Sequence, residues 1–94
     1  MSNDMFVTIA CQIVADYTNR HMDVTDGCAA IGENDVYIVW SCKTLQNNKA
    51  LLSTPLPDGM YYEVTYNGDK DELYLDAYKK FENICYVNPG EVYG

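Results

Sequence analysis

The chain is poor in nearly everything that catalysis and nucleic-acid binding require. Six basic side chains stand against fourteen acids in 94 residues, giving a formal net charge of −8. The acids are spread over both halves, so no acidic tail accounts for the total. A field of this sign repels nucleic-acid phosphates and anionic membranes, because both need Lys or Arg to displace their counterions. Direct nucleic-acid or membrane binding is therefore disfavoured. A basic protein partner is compatible, although acidity also serves simply to keep a small protein soluble.

Histidine is scarcer still. His21 is the only one, and it falls at the end of a predicted helix, where it suits the exposed carbonyls and the negative dipole end. Cys28 lies in the following loop, so a Cys–His nucleophile pair is formally available. Residues 22–34 hold acids and no Lys or Arg, whereas a reactive thiolate needs an electropositive site. No Cys-x-x-Cys pair occurs among Cys11, Cys28, Cys42 and Cys85, which argues against zinc. An even number of Cys would allow disulfides in a secreted chain. Residues 5–15, however, are broken by Thr8, Cys11 and Gln12 and lack the basic flank of a secretion signal. No run approaches the roughly 20 apolar residues of a membrane span. Reduced thiols in a cytoplasm are the expectation.

Phosphate and metal loops are missing too. There is no glycine-rich phosphate loop with its Lys, and the acids at 23, 26 and 33 and at 69, 71 and 72 lack the spacing of a calcium loop. Both clusters read as solvated turns. Glu63 and Asp76 could face each other on neighbouring strands, but acid–base work would need one of them buried with a raised pKa. No cofactor, no metal and no enzymatic activity are expected.

What the chain does have is pattern. At this length it forms one small domain, of globular composition. Ser2, Asn3 and Asp4 can cap a helix start, and Phe6, Ile9, Ala10, Ile13, Val14 and Tyr17 recur on one helical face. The spacing predicts a helix over residues 4–21. Periodicity then stops through a connector with turn signals at Asp26-Gly27 and Gly32.

Residues 35–86 contain the only Trp and most of the Tyr. Residues 36–43 are rich in β-branched and aromatic side chains, as a pleated strand prefers. Gln46-Asn47-Asn48 offers a turn, and residues 50–54 return until Pro55 and Pro57 remove the amide donors. Asp58-Gly59 opens the next turn, residues 60–66 form a third strand, and Asn67-Gly68 suggests a tight turn with positive φ at both residues. Residues 71–86 fit two periods. With period two, Leu73, Leu75, Ala77 and Phe81 share a face; with period 3.6, Tyr74, Ala77, Tyr78, Phe81 and Cys85 do. The nearby Asn-Gly turn favours a fourth strand over a helix. Residues 87–94, with Pro89-Gly90, read as a loose tail.

The fold class expected is α+β: an N-terminal helix packed on an antiparallel meander of three or four strands, the alternative being helix, three strands, helix. One sheet face would collect Val36, Ile38, Trp40, Tyr62, Val64, Leu73 and Leu75 beneath the helix. The other would show Tyr37, Val39, Tyr61, Thr65, Tyr74 and Tyr78 beside Glu63 and Asp76. Tyrosine suits interfaces because its ring is large and rigid while its hydroxyl keeps a polar partner. Three readings of that second face remain open: cover by the loop or tail, a protein interface, or a small-molecule pocket.

Two stretches carry a resemblance. Residues 39–47 (Val-Trp-Ser-Cys-Lys-Thr-Leu-Gln-Asn) run on to Lys49-Ala50-Leu51-Leu52-Ser53-Thr54, and residues 58–68 read Asp-Gly-Met-Tyr-Tyr-Glu-Val-Thr-Tyr-Asn-Gly. Together they resemble an uncharacterised family of small proteins from phages and prophages of Gram-positive bacteria, over about residues 35–86. The resemblance carries no catalytic residue with it. It implies an accessory protein acting in the cytoplasm of a bacterial host, of the kind that binds and blocks a host enzyme. The expected function is a non-enzymatic protein that binds a protein partner through Tyr37, Tyr61, Glu63, Tyr74, Asp76 and Tyr78, that partner being in the sharpest version a basic, nucleic-acid-binding or defence protein. The alternatives are a sponge for a signalling nucleotide and a purely structural homodimer.

Overall fold

The computed structural model describes residues 1–21 and 30–94. The Asp26-Gly27 turn, Cys28 and the acids at 23 and 26 lie outside the described residues.

Helix α1 spans Asn3–His21. Ser2 starts it: its Oγ accepts the Met5 amide at 3.1 Å, satisfying one of the orphan N–H groups of the first turn. Phe6, Ala10 and Val14, one turn apart, are fully buried, with Ala15 and Thr18 beside them. Ile9 and Ile13 belong to the expected stripe but are only half-buried. The buried stripe is rotated toward Val7, Cys11 and Ala15, because α1 rests chiefly on the two central strands and on a 3-10 turn at Glu33–Asp35.

The four strands form one antiparallel sheet in chain order, β1 (Tyr37–Thr44), β2 (Asn47–Ser53), β3 (Met60–Asn67) and β4 (Glu72–Lys79). Residues 72–79 are therefore strand, and the helical alternative falls. In β2 and β3 burial alternates with period two, Asn48, Ala50, Leu52, Tyr62, Val64 and Tyr66 facing α1. These join Phe6, Ala10 and Val14 in the core. Each large side chain sealed there contributes about 1.5–3 kcal/mol. Residues 87–94, expected to lack regular structure, include a short helix α2 (Pro89–Tyr93), started by a proline whose φ is already helical.

Asn19 ties down the chain that precedes the sheet. Its amide donates to the Ile31 carbonyl and accepts the Ile31 N–H, both at 2.8 Å. His21 behaves as its position suggests, with Nδ1 2.8 Å from the Tyr17 carbonyl and its ring stacked on Tyr17.

Two turns differ from expectation. Leu45-Gln46, not Gln46-Asn47-Asn48, connects β1 to β2, with Leu45 at φ 56°. Asn47 and Asn48 are already paired with Thr44 and Lys43. Likewise neither Asn67 nor Gly68 takes positive φ; the left-handed residue is Asp71, at φ 52°. Asn67 Oδ1 instead accepts the amides of Asp69 and Lys70, building a longer connection. The cause is contact between the two loops. Gly68 donates its N–H to Asn47 Oδ1 at 3.1 Å, and a Cβ on Gly68 would lie 2.0 Å from the Gln46 carbonyl oxygen.

Gly68→Ala should destabilise the fold by about 1–3 kcal/mol, because backbone must move to admit the methyl; urea unfolding measures it, and a loss near zero would mean the loops are not locked. Asn48 is 1% exposed, and among the described residues neither its Oδ1 nor its Nδ2 has a hydrogen-bond partner. Near-isosteric Asn48→Leu should raise stability by about 1 kcal/mol, since it removes an unpaired buried amide; a loss would show that the amide is satisfied in solution.

Candidate functional site

Helix α1 covers one face of the sheet. The other face is built from three cross-strand rows. Tyr37, Ser53, Tyr61 and Tyr78 form the first; Trp40, Leu51, Glu63 and Asp76 the second; Cys42, Lys49, Thr65 and Tyr74 the third. All six side chains expected from the sequence thus share this face, and Glu63 and Asp76 are indeed cross-strand partners. Tyr37, Tyr74 and Tyr78 are each about half exposed (49%, 52% and 52%), while Tyr61 and Glu63 are partly covered. No described helix or strand lies over them.

Trp40 is the residue that sequence reasoning misplaced. Period two puts it beneath α1 with Ile38. The register, however, passes from Ile38 opposite Leu52 to Trp40 opposite Leu51. Val39 is the extra residue of a β-bulge, which reverses the side to which all later residues of β1 point. Trp40 therefore joins the open face at 42% exposure, and Ser41 and Lys43 turn toward the helix side. Lys43 Nζ reaches the Met1 carbonyl there at 3.0 Å. Val39 itself stays 47% exposed at the bulge. Nothing local in Ile-Val-Trp announces the bulge, since all three are good strand residues.

The charges on this face are few and arranged. Lys49 Nζ sits 3.1 Å from Glu63 Oε1, and that hydrogen bond, followed by the Glu63 charge, pushes the Lys49 amine above its ordinary value. Tyr74 donates its hydroxyl to Glu72, which raises the Tyr74 pKa. Glu63, Asp76 and Glu72 thus outnumber Lys49. Lys49, Leu51 and Trp40 were not among the expected site residues; Lys49 and Leu51 could have been found by carrying the alternation into β2.

Beyond this face lies an open cleft of about 510 Å³ between α1 and β1, lined by Val7, Thr8, Cys11, Glu33, Asn34, Val36 and Ile38. Burial, and then the Glu33 carboxylate, push the Cys11 thiol above its ordinary pKa, the opposite of what a nucleophilic thiol needs. Among the described residues no cluster of three His, Cys, Asp or Glu side chains could hold a metal, and no helix is long and apolar enough to cross a membrane.

A family model described as a family of unknown function (DUF6275) matches residues 7–88. An uncharacterised family is what the resemblance of residues 35–86 implied, and the match extends it through most of α1. No curated protein and no solved structure matches the chain.

Trp40 is the only Trp, so intrinsic fluorescence tests its placement directly. Acrylamide should quench the native protein nearly as well as the urea-unfolded chain. Several-fold weaker quenching in the native state would put Trp40 under α1 and remove the bulge.

Proposed function

We propose that this chain, which belongs to that family of unknown function, is a non-enzymatic accessory protein of a phage or prophage that binds a protein partner in the cytoplasm of a bacterial host. The observation that carries the reading is the open face itself. Tyr37, Trp40, Tyr61, Tyr74 and Tyr78 share one side of the sheet around Leu51, with no described element over them. Aromatic rings with polar tips, held on rigid strands, form the centre of many protein interfaces because they bury area at little entropic cost.

Charge supports a basic partner. The molecule carries −8, and on this face three carboxylates surround one amine that is already paired. A host protein with a basic nucleic-acid groove, including a defence nuclease, offers the complementary field. The phage setting is supported by the resemblance of residues 35–86. A nucleotide sponge is less well supported, since phosphates would meet Lys49 only as the partner of Glu63.

The test is affinity capture from a Gram-positive host lysate, repeated with Glu63→Lys/Asp76→Lys and with Tyr37→Ala and Tyr78→Ala. The captured partner should be basic, its binding should weaken steeply with salt, and each Tyr truncation should cost roughly five- to tenfold in affinity. Unchanged binding in the charge-reversed protein would remove the basic-partner reading. Unchanged binding in both Tyr variants would remove the face.

A further inference from the structure

We infer that the free edge of β4 is a pairing edge for a second copy of this chain, which joins two sheets into one of eight strands.

The two edges of the sheet differ. β1 is interrupted by the bulge at Val39, a device that twists an edge away from further pairing. β4 has no such break. It pairs with β3 over eight consecutive positions, from Asn67 opposite Glu72 to Met60 opposite Lys79. It contains no Pro and no Gly, and no described element lies along its outer side. A long, regular edge of this kind is a template for another strand.

The backbone fixes which groups face outward. Lys80 donates its N–H to the Gly59 carbonyl at 2.6 Å, so even-numbered residues of β4 direct their amides and carbonyls at β3. By the antiparallel alternation, Leu73, Leu75, Ala77 and Lys79 direct theirs outward. Their side chains share the helix face, with Leu73 and Leu75 half-buried against the core and Ala77 exposed.

A two-fold axis normal to the sheet brings β4 antiparallel to its copy, and both outward backbone groups and faces then require odd residues to meet odd. Among such registers, the one with Asp76 opposite itself stacks like charges, which is destabilising. So does the register that sets Asp76 against Glu72. With Leu75 on the axis no like charges oppose. Leu75 then meets Leu75 of the second copy, Leu73 meets Ala77, Tyr74 meets Asp76, and Glu72 meets Tyr78. About six backbone hydrogen bonds form from the three central pairs.

Area argues in the same direction. Across four strands the open face spans roughly 14 Å between backbones, and along its eight-residue strands roughly 24 Å, which is about 340 Å² in projection. That is well short of the roughly 800 Å² that a stable interface takes from each partner. Edge pairing puts two such faces side by side, and Tyr74 and Tyr78 of both copies come together at the seam. Phe81, 98% exposed, and Ile84, 56% exposed, lie in the segment that follows β4 and add apolar surface near its end. The contact is isologous, so it closes at a dimer.

The inference stands apart from the partner-binding reading, and the experiment separates them. Sedimentation equilibrium of the isolated full chain should give twice the 10.7 kDa mass of the monomer. Ala77→Pro removes an outward amide that β3 does not use, and should halve that mass while leaving the circular dichroism spectrum unchanged. Should Ala77→Pro not fold, Ala77→Lys, which sets a charge against Leu73 of the second copy, should also give a monomer. Tyr37→Ala and Tyr61→Ala, away from the edge, should stay dimeric. A wild-type monomer up to sub-millimolar concentration overturns the inference. So does a dimer that survives a folded Ala77 variant, or one lost in the Tyr37 and Tyr61 variants, which would assign dimerisation to the open face.

Discussion

A sheet has two faces, and this chain brings one long helix to it. That shortage governs the molecule. Helix α1, about 10–12 Å across with its side chains, rests on β2 and β3 and seals Phe6, Ala10 and Val14 against Ala50, Leu52, Tyr62 and Val64. Everything on the far side must tolerate water while still packing well enough to hold four strands together. Tyr, Thr and a Lys–Glu pair meet both demands, because each offers carbon to its neighbours and a polar tip to solvent. The same compromise that lets the open face exist unaided makes it suitable for another surface.

Polar tips on the covered side are handled differently. Tyr62 is 2% exposed, its hydroxyl 3.4 Å from the Thr18 Oγ, and burial pushes its pKa up. Tyr66 reaches out of the core to donate to Asp71 at 2.7 Å, and that bond raises its pKa. Thus both tyrosines beneath α1 find partners near the margins of the core, whereas Asn48, in the same layer, finds none among the described residues.

Much of this was legible in the sequence where one interaction dominates. The helix could be read from Phe6, Ala10 and Val14 because burial on one face outweighs local propensity. The strands were readable from alternation in 60–66 and from the prolines after Thr54. The fourth strand could be separated from a helix only by its closeness to the preceding turn. What escaped were features decided by contacts far apart in sequence. Gly68 and Gln46 meet across two loops, so the turns on either side of that contact take shapes neither segment would select alone. A left-handed Leu45 is locally costly, yet the pairing of Thr44 with Asn47 holds it. Of the candidate face, the tyrosines and the Glu63–Asp76 pair could be seen from alternation; Trp40 could not, because alternation itself fails at Val39.

That failure has a genetic meaning. A bulge is a parity change written in one residue. Losing a single codon at Val39 would let β1 and β2 realign without a gap, and the chain could still make a four-stranded sheet. From Trp40 to Thr44 inside and outside would keep their places: Ile38 opposite Leu52 would lead directly to Trp40 opposite Leu51, so the indole would stay on the aromatic side and Lys43 would keep the Met1 carbonyl. An in-frame deletion at the bulge thus leaves the exposed surface in register, whereas a one-residue insertion in the regular part of β1 would need a second bulge to do the same.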